Sequence, residues 1–199
     1  MTTLRDICTA CAPAYLERSP HLPTSHRKVI SAIPYCRSGH DGHSLSQCQR
    51  CGNQHRVQHS CGHRHCPPCQ QHTTPQWLQH HLENHLPGPH FLLTFTVPET
   101  LRPFIRSPQR FAYHAMFHAS SAALKRLAKD ARCIGTDLPG FTGVLHTWGR
   151  QLQYHPHIHS IVPGGGLSKD RTTWHPSRAN FFVPVKALSP IYRALLRED

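Results

Sequence analysis

Tyr154-His155-Pro156-His157-Ile158-His159-Ser160-Ile161-Val162 is the stretch from which the fold is read. Successive side chains of a β-strand point to opposite faces. Extended, this segment places His155, His157 and His159 on one face and turns Ile158 into a core. Two imidazoles on one strand face make half of a metal site. A third ligand is His155, a carboxylate or a glutamine, and the spacing does not choose among them. An open position on a divalent cation suits Lewis-acid work on a phosphate oxygen. Imidazole favours manganese or zinc on ligand softness, whereas cellular availability favours magnesium. The glycines Gly164-Gly165-Gly166 that follow read as a sharp turn whose bare backbone lets a ligand approach closely.

Outward from this strand the pattern is mixed. Residues 90–97 read as a strand, Gln109 to Arg132 as an amphipathic helix, and 143–148 and 157–162 as two further strands. On that helix Phe111, Met116, Leu124 and Leu127 mark an apolar side, and Lys125, Arg126, Lys129 and Arg132 a basic one. A further strand is expected over 181–185 and a helix from Pro190 to Arg197. The class expected is α+β, a partial antiparallel sheet with helices on one face, preceded by a small zinc-binding module with helices. The domains expected are 1–89 and 90–199.

The module rests on cysteine spacing. Cys48-Gln49-Arg50-Cys51 is followed by Cys61-Gly62-His63-Arg64-His65-Cys66-Pro67-Pro68-Cys69. A C-x-x-C turn holds two thiolates at a separation suited to one tetrahedral zinc. Cys36 and His43 lie upstream. One grouping is Cys36, His43, Cys48 and Cys51 with a second site of Cys61, His65, Cys66 and Cys69. Another is a single site from the four knuckle cysteines, so one or two structural zinc ions are expected. Residues 36–69 lack hydrophobic periodicity, so a metal has to replace a core there. Cys8 and Cys11 read as helix-face residues within a helical lead-in over residues 1–30, and Cys133 as packing.

The 199 residues include 22 Lys+Arg against 10 Asp+Glu, a net charge of +12, which favours a polyanionic partner and so nucleic acid. Arg50, Arg56 and Arg64, between the cysteines, suit phosphate contacts. The start of the chain lacks the apolar run of a signal peptide, and the apolar run over 91–97 is too short to span a bilayer. No membrane association and a cytoplasmic, thiol-reducing location are therefore expected.

Several of these strings are similar to one known family. His155-Pro156-His157-Ile158-His159-Ser160-Ile161-Val162-Pro163-Gly164-Gly165-Gly166-Leu167 resembles the histidine–hydrophobic–histidine (HUH) strand of rolling-circle nucleases in one transposase group. Val144-Leu145-His146-Thr147-Trp148-Gly149, Ser60 to Gln70 and Ala12-Pro13-Ala14-Tyr15 resemble other parts of that group. Together they resemble HUH transposases of the insertion-sequence ninety-one type, over about residues 4 to 197. The resemblance implies that a tyrosine attacks a DNA phosphodiester and becomes linked to the 5′ phosphate, with a metal held at His157 and His159. It also implies paired tyrosines one helical turn apart, downstream of the strand.

Tyr192 is the one tyrosine after that strand, and no second stands four residues on. Its position resembles an aromatic packing site, which makes it a weak candidate nucleophile. Phe182 to Ser189 resembles sequence preceding the tyrosine helix, so the expectation is a C-terminally truncated transposase that binds single-stranded DNA at element ends without nicking it alone. Asp41-Gly42-His43 and His63 depart slightly from the family pattern. Two alternatives are a non-catalytic zinc-dependent DNA-binding protein that interferes with a full-length relative, and a replication initiator or relaxase.

Overall fold

Thr3 accepts the backbone N–H of Asp6 while the Asp6 carboxylate accepts that of Thr3, a reciprocal cap that starts the first helix. The computed structural model describes residues 2–198 apart from 72 and 87. In chain order the elements are α1 (Leu4–Arg18), α2 (Thr24–Ala32), β1 (His43–Gln47), β2 (Gln54–Gln58), α3 (Pro67–Gln70) and α4 (Thr73–Glu83). There follow β3 (His90–Thr96), a 3-10 turn (Glu99–Leu101), α5 (Arg102–Arg106), α6 (Gln109–Ala128), β4 (Leu138–Pro139) and β5 (Thr142–Trp148). Last come β6 (Tyr154–Pro163), β7 (Gly165–Leu167), β8 (Trp174–Pro176) and α7 (Val185–Glu198). The chain divides into two compact units, residues 1–85 and 86–199.

The first unit has almost no apolar core. Ile33, Cys36 and Cys66 are its buried cluster, with Cys8, Val29, Cys61 and Cys69 packed around it. Thiols thus take the place of a hydrocarbon interior. β1 and β2 form an antiparallel hairpin whose every residue is exposed. With no buried face it leaves no alternation in the sequence, and so the hairpin is not legible there.

In the second unit β6 is the central strand of an antiparallel sheet ordered β3-β6-β5. Pro156, Ile158, Ser160 and Val162 are buried, while His155, His157 and His159 lie on the other face. The core face packs on α6 and α7 through Phe95, Val97, Ile158 and Val162 against Met116, Leu124, Leu127, Leu188 and Tyr192. Ala115, Ala119, Ser120, Ala123 and Ala128 give α6 a small-residue side where it is buried. The α+β class with helices on one face of an antiparallel sheet is what these contacts describe.

Four details differ from the sequence reading. The expected strand over 181–185 is an extended stretch with a single bridge between Arg178 and Phe181; Phe182 and Val183 are buried as core plugs, which mimics a strand's hydrophobicity. α7 begins at Val185, so Pro190 lies within the helix rather than at its start. α6 ends at Ala128, where Asp130 begins a turn whose carbonyl accepts from Cys133, Ile134 and Gly135. Phe111, assigned to the apolar side, is exposed.

The glycines 164–166 are also a correction. They do not leave the backbone open to a ligand. Gly165 and Gly166 form β7, paired between β4 and β8. A Cβ on Gly165 would meet the His175 carbonyl at 2.5 Å, and one on Gly164 the Pro89 carbonyl at 2.9 Å. Glycine is needed here for backbone-to-backbone packing.

Candidate metal and DNA site

The histidine face is assembled by strand register. β6 pairs with β5 so that His146 stands opposite His157, and with β3 so that Thr94 stands opposite His159. The ligand nitrogens of His146, His157 and His159 all lie within 4.8 Å of one another. The rings meet edge to face, with centroids 5.3 Å apart for His146–His157 and 4.7 Å for both His146–His159 and His157–His159. A metal at about 2.1 Å from each nitrogen asks for nitrogens about 3.3 Å apart.

Hydrogen bonds orient these rings. His157 Nδ1 lies 2.7 Å from the carbonyl of His155 and donates to it, which leaves Nε2 as the free ligand atom. His159 Nδ1 lies 3.0 Å from Thr94 Oγ1, a contact that anchors the ring. His155 is placed differently. Its Nε2 is 2.8 Å from Thr96 Oγ1, and it is not one of the three converging residues. The sequence singled out His155, His157 and His159 but left His146 out. Its signal was its place on the neighbouring strand, in a string already singled out for resemblance, yet register is not visible in a single strand's pattern.

Burial, followed by the charges of His157 and His146, holds His159 below the ordinary imidazole range. Burial and Arg102 do the same for His155. A neutral imidazole is the form that ligates. Three imidazoles on one sheet face, were they to hold a metal, would leave coordination positions for an outside oxygen, the arrangement of catalytic rather than structural sites.

Tyr192 is on the other side of the sheet. It is 7% exposed, its ring centroid is 5.1 Å from that of Phe95, and its hydroxyl is buried without a hydrogen-bond partner. Burial pushes its pKa up to about 12. The Tyr154 hydroxyl is taken up by that of Tyr113 at 2.9 Å.

In the first unit Cys36, Cys61, Cys66 and Cys69 bring their sulfurs together. Cys36 and Cys61 lie 3.5 and 3.6 Å from Cys69, close to the edge of about 3.8 Å expected of a tetrahedron around zinc. The Cys61 N–H points at Cys36 Sγ at 3.5 Å, as amides do toward bound thiolates. Without a metal the four thiols share few charges. Burial pushes Cys66 up to about 12. Burial also works to raise Cys69, but hydrogen bonds from Cys36, Cys61 and Cys66 outweigh it and draw it down to about 7. This donor set fits a structural zinc.

The grouping differs from the spacing-based ones. Cys36 joins the second knuckle because Arg37 N–H bonds the His59 carbonyl, which closes the hairpin base beside Cys61. Cys48 and Cys51 sit at the hairpin's far end, about 15 Å along five-residue strands. There Gly52, at φ 72°, returns its N–H to the Cys48 carbonyl. N–H groups of Cys51 and Arg50 hold the Cys48 thiol below its ordinary value. His43 instead meets Arg56 at 3.1 Å, and His65 meets Arg64 at 3.3 Å. Arg50 and Arg56 are thus on the exposed hairpin, and Arg64 on the loop between Cys61 and Cys66.

Residues 7–97 match the family described as "Transposase zinc-binding domain", and residues 140–199 match the one described as "Putative transposase". Two separate stretches of the chain thus match transposase families. It is 37% identical over 193 residues to the "Putative transposase y4qJ" of Sinorhizobium fredii, covering 97% of this chain and 48% of that one. It is also 37% identical over 130 residues to the transposase for insertion sequence element IS801 of Pseudomonas savastanoi pv. phaseolicola, covering 60% of this chain and 29% of that one. The chain therefore spans about half the length, or less, of those relatives. Solved structures similar to 54% of it include the conjugative relaxase TrwC with oriT DNA, metal-bound, at 15% identity, TM-score 0.40 and 41% of that chain. A second is TrwC with a 27-mer DNA, at 19% identity, TM-score 0.41 and 42% of that chain. Among the described residues no helix is long and apolar enough to cross a membrane.

Proposed function

We propose that this chain is the DNA- and metal-binding part of a transposase that acts on single DNA strands, with its chemistry centred on His146, His157 and His159. The observation that carries this reading is the convergence of three half-buried imidazoles on one face of the sheet. A divalent cation, manganese or magnesium, bound there would polarise the phosphate to be cut. His155 acts beside the triad as a neighbour held by Thr96 rather than as a ligand. The zinc held by Cys36, Cys61, Cys66 and Cys69 gives the first unit its fold, and Arg50, Arg56 and Arg64 meet DNA phosphates.

Tyr192 has no part in strand cleavage on this reading, because its hydroxyl is enclosed by the core on the opposite face of the sheet. On this reading residues 1–199 bind single-stranded DNA at element ends and form no phosphotyrosine through Tyr192. The test is incubation with 5′- and 3′-labelled single-stranded DNA and manganese. A retarded, non-covalent complex is expected. A covalent 5′-linked adduct that disappears in Tyr192→Phe would overturn the assignment.

A further inference from the structure

An open cleft of about 500 Å³ lies between α5 and the start of β6, lined by Glu99, Arg102, Pro103, Arg106, Ser107, Gln153 and Tyr154. It adjoins the histidine face through the chain itself. Tyr154 precedes His155, whose ring is 5.2 Å from that of His157 and whose Nε2 meets Thr96. Two arginines and one carboxylate line the cleft.

Arg102 is not saturated. Its Nε is buried with no hydrogen-bond partner. Its Nη1 stands 3.6 Å from Glu99 Oε1, an ion pair too long for a hydrogen bond, and that carboxylate side chain is 86% exposed. A desolvated guanidinium N–H left unbonded is costly, and such groups in native proteins call for a partner. Arg106 is held with its Cζ 5.5 Å over the Tyr154 ring, a contact that orients the guanidinium without neutralising it. A planar fork with free donors, joined by a second cation, matches the oxygens of a phosphodiester.

We propose that this cleft is an anion subsite that holds one backbone phosphate of single-stranded DNA, next along the strand from the phosphate at the histidine triad. Arg102 donates to that phosphate, Arg106 adds charge from above Tyr154, and Glu99 is displaced when the phosphate enters. The inference rests on the DNA reading above and adds to it a register for the strand across the sheet.

The experiment measures binding of a labelled single-stranded oligonucleotide to the full chain by fluorescence anisotropy over a series of salt concentrations, with manganese binding by calorimetry alongside. The Arg106→Gln and Arg102→Gln variants are expected to weaken DNA binding about ten-fold irrespective of sequence. The slope of log affinity against log salt should fall by about 0.7, the value for one phosphate contact on a single strand. Manganese binding should not change. Arg102 is partly buried, so Glu99→Gln is the decisive companion: it should tighten DNA binding about two- to three-fold, a gain that misfolding does not produce. If the wild type binds DNA but Arg106→Gln and Glu99→Gln match it in affinity and slope, the subsite is wrong and the DNA reading stands. Loss of manganese binding in Arg106→Gln would also overturn the subsite. If the wild type binds no single-stranded DNA, both fall together.

Discussion

Thr94 Oγ1 lies 3.0 Å from Nδ1 of His159, across the ladder between β3 and β6. This hydroxyl engages one of the two ring nitrogens and so holds the imidazole in place beside His146 and His157. Partners of ligating histidines typically contribute about 10–100-fold in metal affinity. Thr94→Val should therefore weaken manganese binding by about that factor, read by calorimetry, while thermal stability stays near wild type. An unchanged affinity would show that the ring is oriented by packing alone.

The thiol cluster should behave as a folding switch for the first unit. Structural zinc contributes on the order of 10 kcal/mol in small modules, more than this interior of Ile33 and two cysteines supplies. Cys66→Ser, or a strong chelator, should abolish the circular dichroism of α1 and α2 together with one bound zinc per chain. Cys48→Ser at the exposed hairpin tip should leave that zinc and that signal in place.

Acid should loosen the histidine face. Burial and neighbouring positive charge hold His159 and His155 below the ordinary imidazole value of 6.5 in the folded protein. The unfolded chain then binds more protons in acid. Stability from these groups is fully present above about pH 6.5 and is lost as pH falls through their lower folded values. Urea midpoints of the metal-free protein should decline from pH 7.5 to pH 5. His159→Gln should flatten that decline.

Tyr192→Phe should raise stability rather than lower it. The hydroxyl is buried and unbonded, so its removal relieves a desolvation cost of about 1 kcal/mol while the ring keeps its contact with Phe95. Thermal unfolding should shift upward, and DNA binding should be unaffected. A fall in DNA affinity would give Tyr192 a role that its position does not suggest.

Gly165→Ala should cost about 3 kcal/mol or more, because the added methyl collides with the His175 carbonyl and the Trp174 ring. Expression and thermal unfolding would report it. Tolerance of alanine would mean that β8 can move away.

The alternation of Pro156, Ile158, Ser160 and Val162 with three histidines makes β6 and its two faces legible in the sequence, since period two is a local property. His146 was not, because its partnership with His157 and His159 is made by the register of another strand. Cys36 likewise joins the Cys61–Cys69 cluster only because a hairpin closes between them. Gly164, Gly165 and Gly166 were misread because a glycine run signals close approach without saying what approaches. Phe182 and Val183 were misread because burial in an extended loop produces the same residue types as a strand.

β6 is the middle strand, with core on one side and ligands on the other, and it is hydrogen-bonded along both edges. Nearly every position in it answers to two demands at once. Deleting one residue before His155 would exchange its faces, dropping imidazoles into the hydrocarbon interior and lifting Ile158 into water. Variation in what DNA such a protein prefers therefore has little room to arise within this strand. It has to come from the surrounding loops and the hairpin, where insertions leave the ladder undisturbed.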